Sequence, residues 1–150
     1  MDAIDQKLLN LMQTDAKLTT KALALQLNLS ATAVYERLRK WERAGVIQGY
    51  VALLNKSELQ RGFVVFCHVK LTQHLQSNIE QFEKQVVGLQ EVMECYHVSG
   101  DYDYILKVCV ADMPAYREFM VTKLTNLSQI GSTHSTFMIG EVKHTTAFEL

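Results

Sequence analysis

The chain has 150 residues, of which 48% are hydrophobic, and a formal net charge of −1. That size and composition suit one or two small folded domains. The N-terminal residues are acidic and no apolar run approaches the length of a membrane span, so we expect neither a signal peptide nor a transmembrane helix, and a cytoplasmic protein.

The charges are unevenly distributed along the chain. Residues 1–55 carry seven Lys/Arg and five Asp/Glu, whereas residues 56–150 carry eight Lys/Arg and eleven Asp/Glu. A mildly basic first third joined to an acidic remainder favours a nucleic-acid-binding module attached to a second domain.

Three short helices are predicted before residue 45. Asp2, Thr19 and Ser30 are good N-caps, and each precedes a run with apolar residues at helical spacing. Asn28 tolerates the left-handed backbone of a tight turn between the second and third helices, and Gly45 ends the third helix. This pattern is typical of a helix-turn-helix domain, which we place at residues 1–49.

A linker follows the predicted helices. Residues 46–53 read as a short strand or wing, and residues 55–62 are polar and end in Gly62. We therefore expect a winged helix-turn-helix and a strand-containing linker at residues 50–62.

The remaining residues, 63–150, predict an α+β domain. Strands are expected at 63–71, 92–99, 102–110 and 132–143, with a helix around Phe82 and another that starts at Pro114. The order βαββαβ is ferredoxin-like. Two helices cover one face of such a sheet, yet residues 105–110 are apolar on both faces apart from Lys107. We therefore expect a second copy to cover the other face, as a homodimer.

Catalytic and metal chemistry have little support in the sequence. The three cysteines and five histidines are scattered, with no Cys-x-x-Cys and no His pair at metal-ligand spacing. No nucleophile elbow, phosphate-binding loop or dinucleotide-binding motif is present. We therefore expect a protein that is not an enzyme, has no cofactor or metal and keeps its cysteines reduced.

The third predicted helix carries the side chains best suited to double-stranded DNA. Its apolar stripe faces inward, which turns Thr32, Tyr35 and Arg39 outward. Thr32 suits a base edge or a thymine methyl group, Arg39 a phosphate or a guanine, and Arg37 and Lys40 phosphates. The alternative is a solvated basic helix face. The predicted DNA-binding set is Thr20, Lys21, Ser30, Ala31, Thr32, Tyr35, Glu36, Arg37, Arg39 and Lys40.

Two polar segments of the second domain allow two interpretations each. Gly100-Asp101-Tyr102-Asp103 is either ordinary turn chemistry or a small-ligand pocket whose carboxylates face an ammonium group. The hydroxyl-rich residues 132–136 either bond a ligand or form an exposed strand edge.

Taken together, these residues resemble the Lrp/AsnC (feast/famine) family of transcriptional regulators over nearly the whole chain. The N-terminal motif reads here as Asp2, Asp5, Leu8-Leu9, Thr14-Asp15-Ala16-Lys17-Leu18-Thr19, Leu23-Ala24, Leu29-Ser30, Val34, Arg37-Leu38, Glu42 and Gly45-Val46-Ile47. The C-terminal motif reads as Val92, Glu94-Cys95, Val98-Ser99-Gly100-Asp101-Tyr102-Asp103-Tyr104 and Val142-Lys143. Lys17, Asn28 and Trp41 stand where Arg, Gly and Leu are usual.

The resemblance implies a fold, an assembly and an effector. The fold is a helix-turn-helix joined to a ferredoxin-like RAM (ACT-like) domain, and RAM domains pair into dimers that commonly assemble into octamers. The effector is an amino acid bound near the Gly-Asp-Tyr-Asp turn, which favours the pocket interpretation. The effector-binding set is Gly100, Asp101, Tyr102, Asp103, Thr133 and Ser135.

The predicted function is a sequence-specific DNA-binding transcriptional regulator whose binding or assembly responds to an amino acid. Two other functions remain open at this level. One is an amino-acid-binding sensor or enzyme-regulatory domain whose helical N-terminus contacts protein. The other is a chromatin-organising protein with little sequence preference, whose affinity hardly varies between DNA fragments.

Overall fold

The computed structural model describes residues 1–150 and divides into two compact units. The helical unit comprises Met1–Leu53 together with Val142–Leu150, and the sheet unit comprises Leu54–Glu141. Residues 142–150, which were predicted within the second domain, group with the helical unit in the structure. The last residues of the chain contact the first helix, where the side-chain amide of Gln13 donates to the Phe148 carbonyl (2.9 Å) and accepts from the Phe148 N–H (2.7 Å). No helix is both long and apolar enough to cross a bilayer.

The helical unit contains the three predicted helices: α1 (Ala3–Thr14), α2 (Thr20–Leu27) and α3 (Ala31–Arg43). The side chains of Asp2, Thr19 and Ser30 each accept a backbone N–H from three residues further on, as N-caps do. Asn28 has a φ of 53° in the turn between α2 and α3, and Gly45 has a φ of 71° after α3. The predicted helix-turn-helix is confirmed, with its turn closed by a left-handed asparagine.

A partly buried ion pair joins the start of α1 to α3. Leu8, Leu23 and Val34 form the apolar centre of the unit, and the Asp5 side chain is almost as buried, at 1% exposure. Arg37 Nη1 donates to Asp5 (2.6 Å) and to Asp2 (2.8 Å). Burial alone raises the pKa of Asp5, but the Asp2 N–H and the Arg37 guanidinium outweigh it and lower the pKa to about 2.

The strand predicted at residues 46–53 is not formed. The chain between α3 and residue 63 has no strand, so the wing and the strand-containing linker are corrected to irregular backbone. Val51 and Leu53 are 82% and 70% exposed there. Alternating apolar residues become a strand only beside a hydrogen-bonded partner, and no segment of the single chain provides one.

The sheet unit has the predicted βαββαβ order and is ferredoxin-like. Its elements are β1 (Phe63–Leu71), α4 (Gln76–Val86), β2 (Val92–His97), β3 (Tyr104–Val110), α5 (Met113–Thr122), a 3₁₀ turn (Leu124–Asn126) and β4 (Ile130–Phe137). The strands are antiparallel in the order β2-β3-β1-β4. β4 ends before the predicted residue 143 because β1, its only neighbour, begins at Phe63 and pairs Val65 with Phe137.

The two helices cover one face of the sheet only. Cys67, Leu106 and Phe119 lie in the core between the sheet and the helices, with at most 2% exposure. No helix lies on the opposite face, which we call the open face, and there Phe66 and Ile105 are half-buried by their neighbours. The expectation of one covered and one uncovered face is confirmed.

We expect Asp5→Asn to lower the free energy of unfolding of the helical unit by about 1–3 kcal/mol at pH 7, because Arg37 loses its buried charged acceptor. The pKa of Asp5 is lowered from 3.8 to about 2, so its charge stabilises the fold fully above about pH 4. That contribution is lost as pH falls from about 4 towards 2. Urea titrations followed by the fluorescence of Trp41, the only tryptophan, measure the difference.

The matched variant is Asp2→Asn, because Asp2 shares the Arg37 partner but its side chain is 54% exposed. It should destabilise the unit less than Asp5→Asn does. A difference between wild type and Asp5→Asn that is as large at about pH 3 as at pH 7 would contradict the assignment.

Candidate functional sites

Most of the predicted DNA-binding side chains are exposed on the helix-turn-helix. Those exposed are Lys21, Ser30, Ala31, Thr32, Tyr35, Glu36, Arg39 and Lys40, while Thr20 and Arg37 are half-buried. The cap at Ser30 starts α3 at Ala31, which leaves the small side chains of Ala31 and Thr32 at its exposed N-terminal end.

Arg39 is held at the surface by two neighbours on α3. Its guanidinium lies 6.0 Å from the centre of the Tyr35 ring, and Nη1 donates to Glu42 Oε2 at 3.3 Å. The other Glu42 oxygen, Oε1, accepts from the Tyr50 hydroxyl at 3.0 Å. The Glu42 contact raises the pKa of Arg39, and burial together with Glu42 raises the pKa of Tyr50. The sequence pattern did not identify Tyr50, because eight residues and a helix end separate it from Glu42.

Arg37, which was predicted as a phosphate contact, is half-buried. Its guanidinium is bonded to Asp2 and Asp5 within the helical unit, so it serves the fold. Lys40 is exposed but lies close to the same acidic residues, with its Nζ 4.5 Å from the Trp41 ring centre and 3.8 Å from Asp5 Oδ2. Within the predicted DNA-binding set, Arg39 and Lys21 are the exposed cations without an acid from α1 beside them.

The turn at residues 100–103 is attached to the end of β1. Gly100 has a φ of 122°, a backbone conformation that favours glycine. The Asp103 N–H donates to the Val69 carbonyl (2.9 Å), and the Asp103 carbonyl accepts from the Val98 N–H (2.9 Å). The position of the turn is therefore set by backbone pairing with its neighbours.

The two carboxylates of the turn differ in what they contact. Asp103 Oδ2 accepts from the Leu71 N–H (2.7 Å), and Oδ1 lies 2.7 Å from His74 Nε2. Burial raises the pKa of Asp103, but these two bonds outweigh it and hold the pKa below its ordinary value. Asp101 is exposed and has no hydrogen bond within the chain. The side chain of Asp103 thus shapes the turn, whereas that of Asp101 is available to a ligand.

The aromatic ring of the turn contacts the open face. Tyr102 lies 5.2 Å from His68 and 6.1 Å from His134 between ring centres, and the two histidines are directly opposite each other on β1 and β4. The sequence did not predict that these histidines lie together, because the register between β1 and β4 determines which residues are opposite each other. No group of three or more His, Cys, Asp or Glu side chains is arranged to hold a metal ion.

The other two predicted effector residues point to the opposite side of β4. Strand alternation puts Thr133 and Ser135 on the helix-covered face, opposite Val69 and Cys67 of β1. Ser135 Oγ lies 2.6 Å from the Tyr116 hydroxyl of α5. The structure therefore brings Tyr102 to β4, but not to the face that carries Thr133 and Ser135.

Two domain families match the chain, one over its N-terminal helices and one over the sheet unit and most of the C-terminal residues that follow it. The AsnC-type helix-turn-helix domain matches residues 1–42, and the Lrp/AsnC ligand binding domain matches residues 64–148. The chain is 40% identical over 143 residues to the leucine-responsive regulatory proteins of Klebsiella pneumoniae and of Escherichia coli (strain K12), which covers 95% of this chain and 87% of theirs.

Solved structures of the same kind have the same fold. A transcriptional regulator of Neisseria meningitidis in complex with L-Met has a TM-score of 0.94 at 30% identity, over 99% of this chain and 96% of that one. An AsnC family regulator from Agrobacterium tumefaciens has a TM-score of 0.91 at 33% identity, over the same shares.

These matches assign a role to each unit. The helical unit is a DNA-binding domain and the sheet unit is a ligand-binding domain. The family consists of transcriptional regulators and not enzymes, which agrees with the lack of a catalytic motif in the sequence. The predicted resemblance is confirmed: the chain belongs to the Lrp/AsnC family of DNA-binding transcriptional regulators.

Proposed function

We propose that this protein is a homo-oligomeric, cytoplasmic regulator. It binds operator DNA through α3 and changes its DNA binding or its assembly when an amino acid occupies the sheet unit. The observation that carries the DNA half is the outer surface of α3, where exposed small residues precede an exposed arginine on a helix capped at Ser30.

The geometry of α3 suits the major groove. Small side chains at its N-terminal end allow close approach to base edges, and Thr32 offers both a hydroxyl and a methyl group. Arg39 lies seven residues further on, about 10 Å along the axis, so it reaches a phosphate at the edge of the groove or a neighbouring guanine. Lys21, at the start of α2, supplies a second phosphate contact.

We propose that a second copy of the chain covers the open face. That face carries half-buried Phe66 and Ile105 on the central strands and no helix of its own. A dimer presents two copies of α3, which match two operator half-sites about one turn of DNA apart, roughly 34 Å. Assembly of dimers into octamers is proposed from the family resemblance.

The proposed amino-acid site lies at the turn of residues 100–103. A free carboxylate at Asp101 suits the ammonium group of an amino acid, and exposed turn N–H groups suit its carboxylate. The Neisseria meningitidis regulator, which shares this fold, was solved with L-Met, and this supports an amino acid as the class of ligand. In this proposal Asp103 and Gly100 hold the turn in shape, and Tyr102 forms one wall.

Arg39→Ala is expected to weaken binding to an operator fragment by about tenfold, or ~1.4 kcal/mol, because one guanidinium contact is lost. Fluorescence anisotropy with labelled DNA measures the affinity, and light scattering checks that the oligomer is intact. If Arg39 binds a phosphate, the slope of log affinity against log salt also falls by about 0.9. Arg117→Ala, an exposed arginine of α5, is the matched control and should leave the affinity unchanged. Unchanged affinity of Arg39→Ala at moderate salt would count against this docking.

Asp101→Ala is expected to weaken amino-acid binding at least about tenfold without changing the melting temperature, because the carboxylate is exposed and unbonded. A thermal-shift screen of the twenty amino acids identifies the ligand, and calorimetry then measures its affinity.

Asp103→Ala should instead destabilise the sheet unit by about 1–3 kcal/mol, since the Leu71 N–H loses its acceptor. A full calorimetric signal in Asp101→Ala would rule out its proposed contact with the ammonium group.

A further inference from the structure

Arg39, the exposed arginine of α3 (the proposed recognition helix), has a hydrogen-bond partner in the unbound chain. Arg39 is 51% exposed, and its guanidinium donates to Glu42, whose side chain is 30% exposed. Glu42 lies three residues further along α3 and places an anion beside the group proposed to bind DNA. A surface ion pair of this kind contributes little stability, so by itself it restrains Arg39 weakly.

The Tyr50 hydroxyl fixes the carboxylate that faces Arg39. It donates to Glu42 Oε1 while Arg39 donates to Oε2, so each oxygen of one carboxylate has its own donor. A hydrogen bond to a charged group is stronger than one between neutral groups. The carboxylate is therefore oriented, and its other oxygen, Oε2, is directed at the guanidinium.

Tyr50 belongs to the segment that leaves the recognition helix. The N–H groups of Val46 and Ile47 bond to the Trp41 carbonyl at 3.0 and 3.1 Å, which anchors the start of the segment on α3. The Tyr50 hydroxyl makes the next hydrogen bond back to that helix. The helical unit's first stretch of chain ends three residues later, at Leu53, before the chain enters the sheet unit.

A DNA phosphate and the Glu42 carboxylate compete for the same guanidinium. Two anions beside one guanidinium repel each other, and they repel more strongly where water is excluded. When Arg39 binds a phosphate, either its contact with Glu42 weakens or the complex retains the repulsion between Glu42 and the phosphate. Whatever holds Glu42 in place lowers the affinity of the helix for DNA.

We propose that Tyr50 and Glu42 are positioning residues that restrain Arg39 in the unbound state. Through Tyr50, the segment after α3 sets how readily the recognition helix binds DNA. The inference rests on the proposed contact of Arg39 with DNA. It makes residues 46–53 part of the control of DNA binding as well as a connection between the two units.

The test is a set of double-mutant cycles on the full-length protein with a labelled DNA fragment selected by the wild type. Glu42→Gln should raise the affinity about three- to fivefold at low salt, because the competing charge is removed. The slope of log affinity against log salt should become steeper by up to about 0.9. Tyr50→Phe, which removes one hydroxyl, should raise the affinity about twofold. Both gains should disappear when Arg39 is also Ala.

Tyr96→Phe is the matched control. The Tyr96 hydroxyl donates to Glu94 at 2.8 Å in the sheet unit, the same chemistry away from α3, and its loss should leave DNA affinity unchanged. Trp41 fluorescence confirms that each variant of the helical unit is folded.

The outcomes separate the two proposals. If Arg39→Ala weakens binding but Glu42→Gln and Tyr50→Phe leave it unchanged or lower it, the restraint is wrong and the docking stands. If the gains persist in the Arg39→Ala background, the restraint is also overturned. If Arg39→Ala itself has no effect, the docking fails and the restraint fails with it.

Discussion

The sheet unit depends on a simple constraint: a four-stranded antiparallel sheet has two faces, and this one has helices for only one of them. β1 and β3 lie in the middle of the sheet and have apolar residues on both sides. Packing of α4 and α5 on one side forms the core. The other side is left with Phe66 and Ile105 half-buried, a surface that a second copy of the chain would bury.

A second regularity is that the carboxylates shielded from water are hydrogen-bonded within their own unit. As a result, chemically similar residues close in sequence have different roles. A carboxylate removed from water must be hydrogen-bonded. Asp5 takes Arg37 as its partner, and Asp103 takes the Leu71 N–H and His74. The arginine two residues beyond Arg37 remains on the surface.

The same division separates the two acids of the turn at residues 100–103. Asp103, which makes those bonds, holds the turn, while Asp101 two residues earlier stays exposed. Substitutions of neighbouring, chemically identical residues should therefore have different consequences, one for stability and the other for binding.

Local patterns predicted most of the elements correctly, because the physical causes of those elements are local. Ser30 caps α3, Asn28 adopts the left-handed turn and β1 spans 63–71, since N-caps, left-handed turns and strand alternation each depend on residues close in sequence. The strand expected at residues 46–53 is not formed, because a strand needs a hydrogen-bonded neighbour and the alternation of apolar residues does not reveal whether one is present. β4 is shorter than predicted for the same reason, since its length depends on where β1 begins.

By itself, the sequence determined the family and fold class of the protein and predicted where its two sites lie. Three capped helices, a βαββαβ order and the Gly-Asp-Tyr-Asp turn follow from spacing and composition along the chain. The tertiary structure alone decided which side chains are available in those sites. Arg37 is bonded to Asp5, Asp103 accepts from the Leu71 N–H while Asp101 is exposed, and Thr133 and Ser135 face the helices. Availability depends on contacts between residues distant in sequence and on burial, and neither can be read from the order of residues.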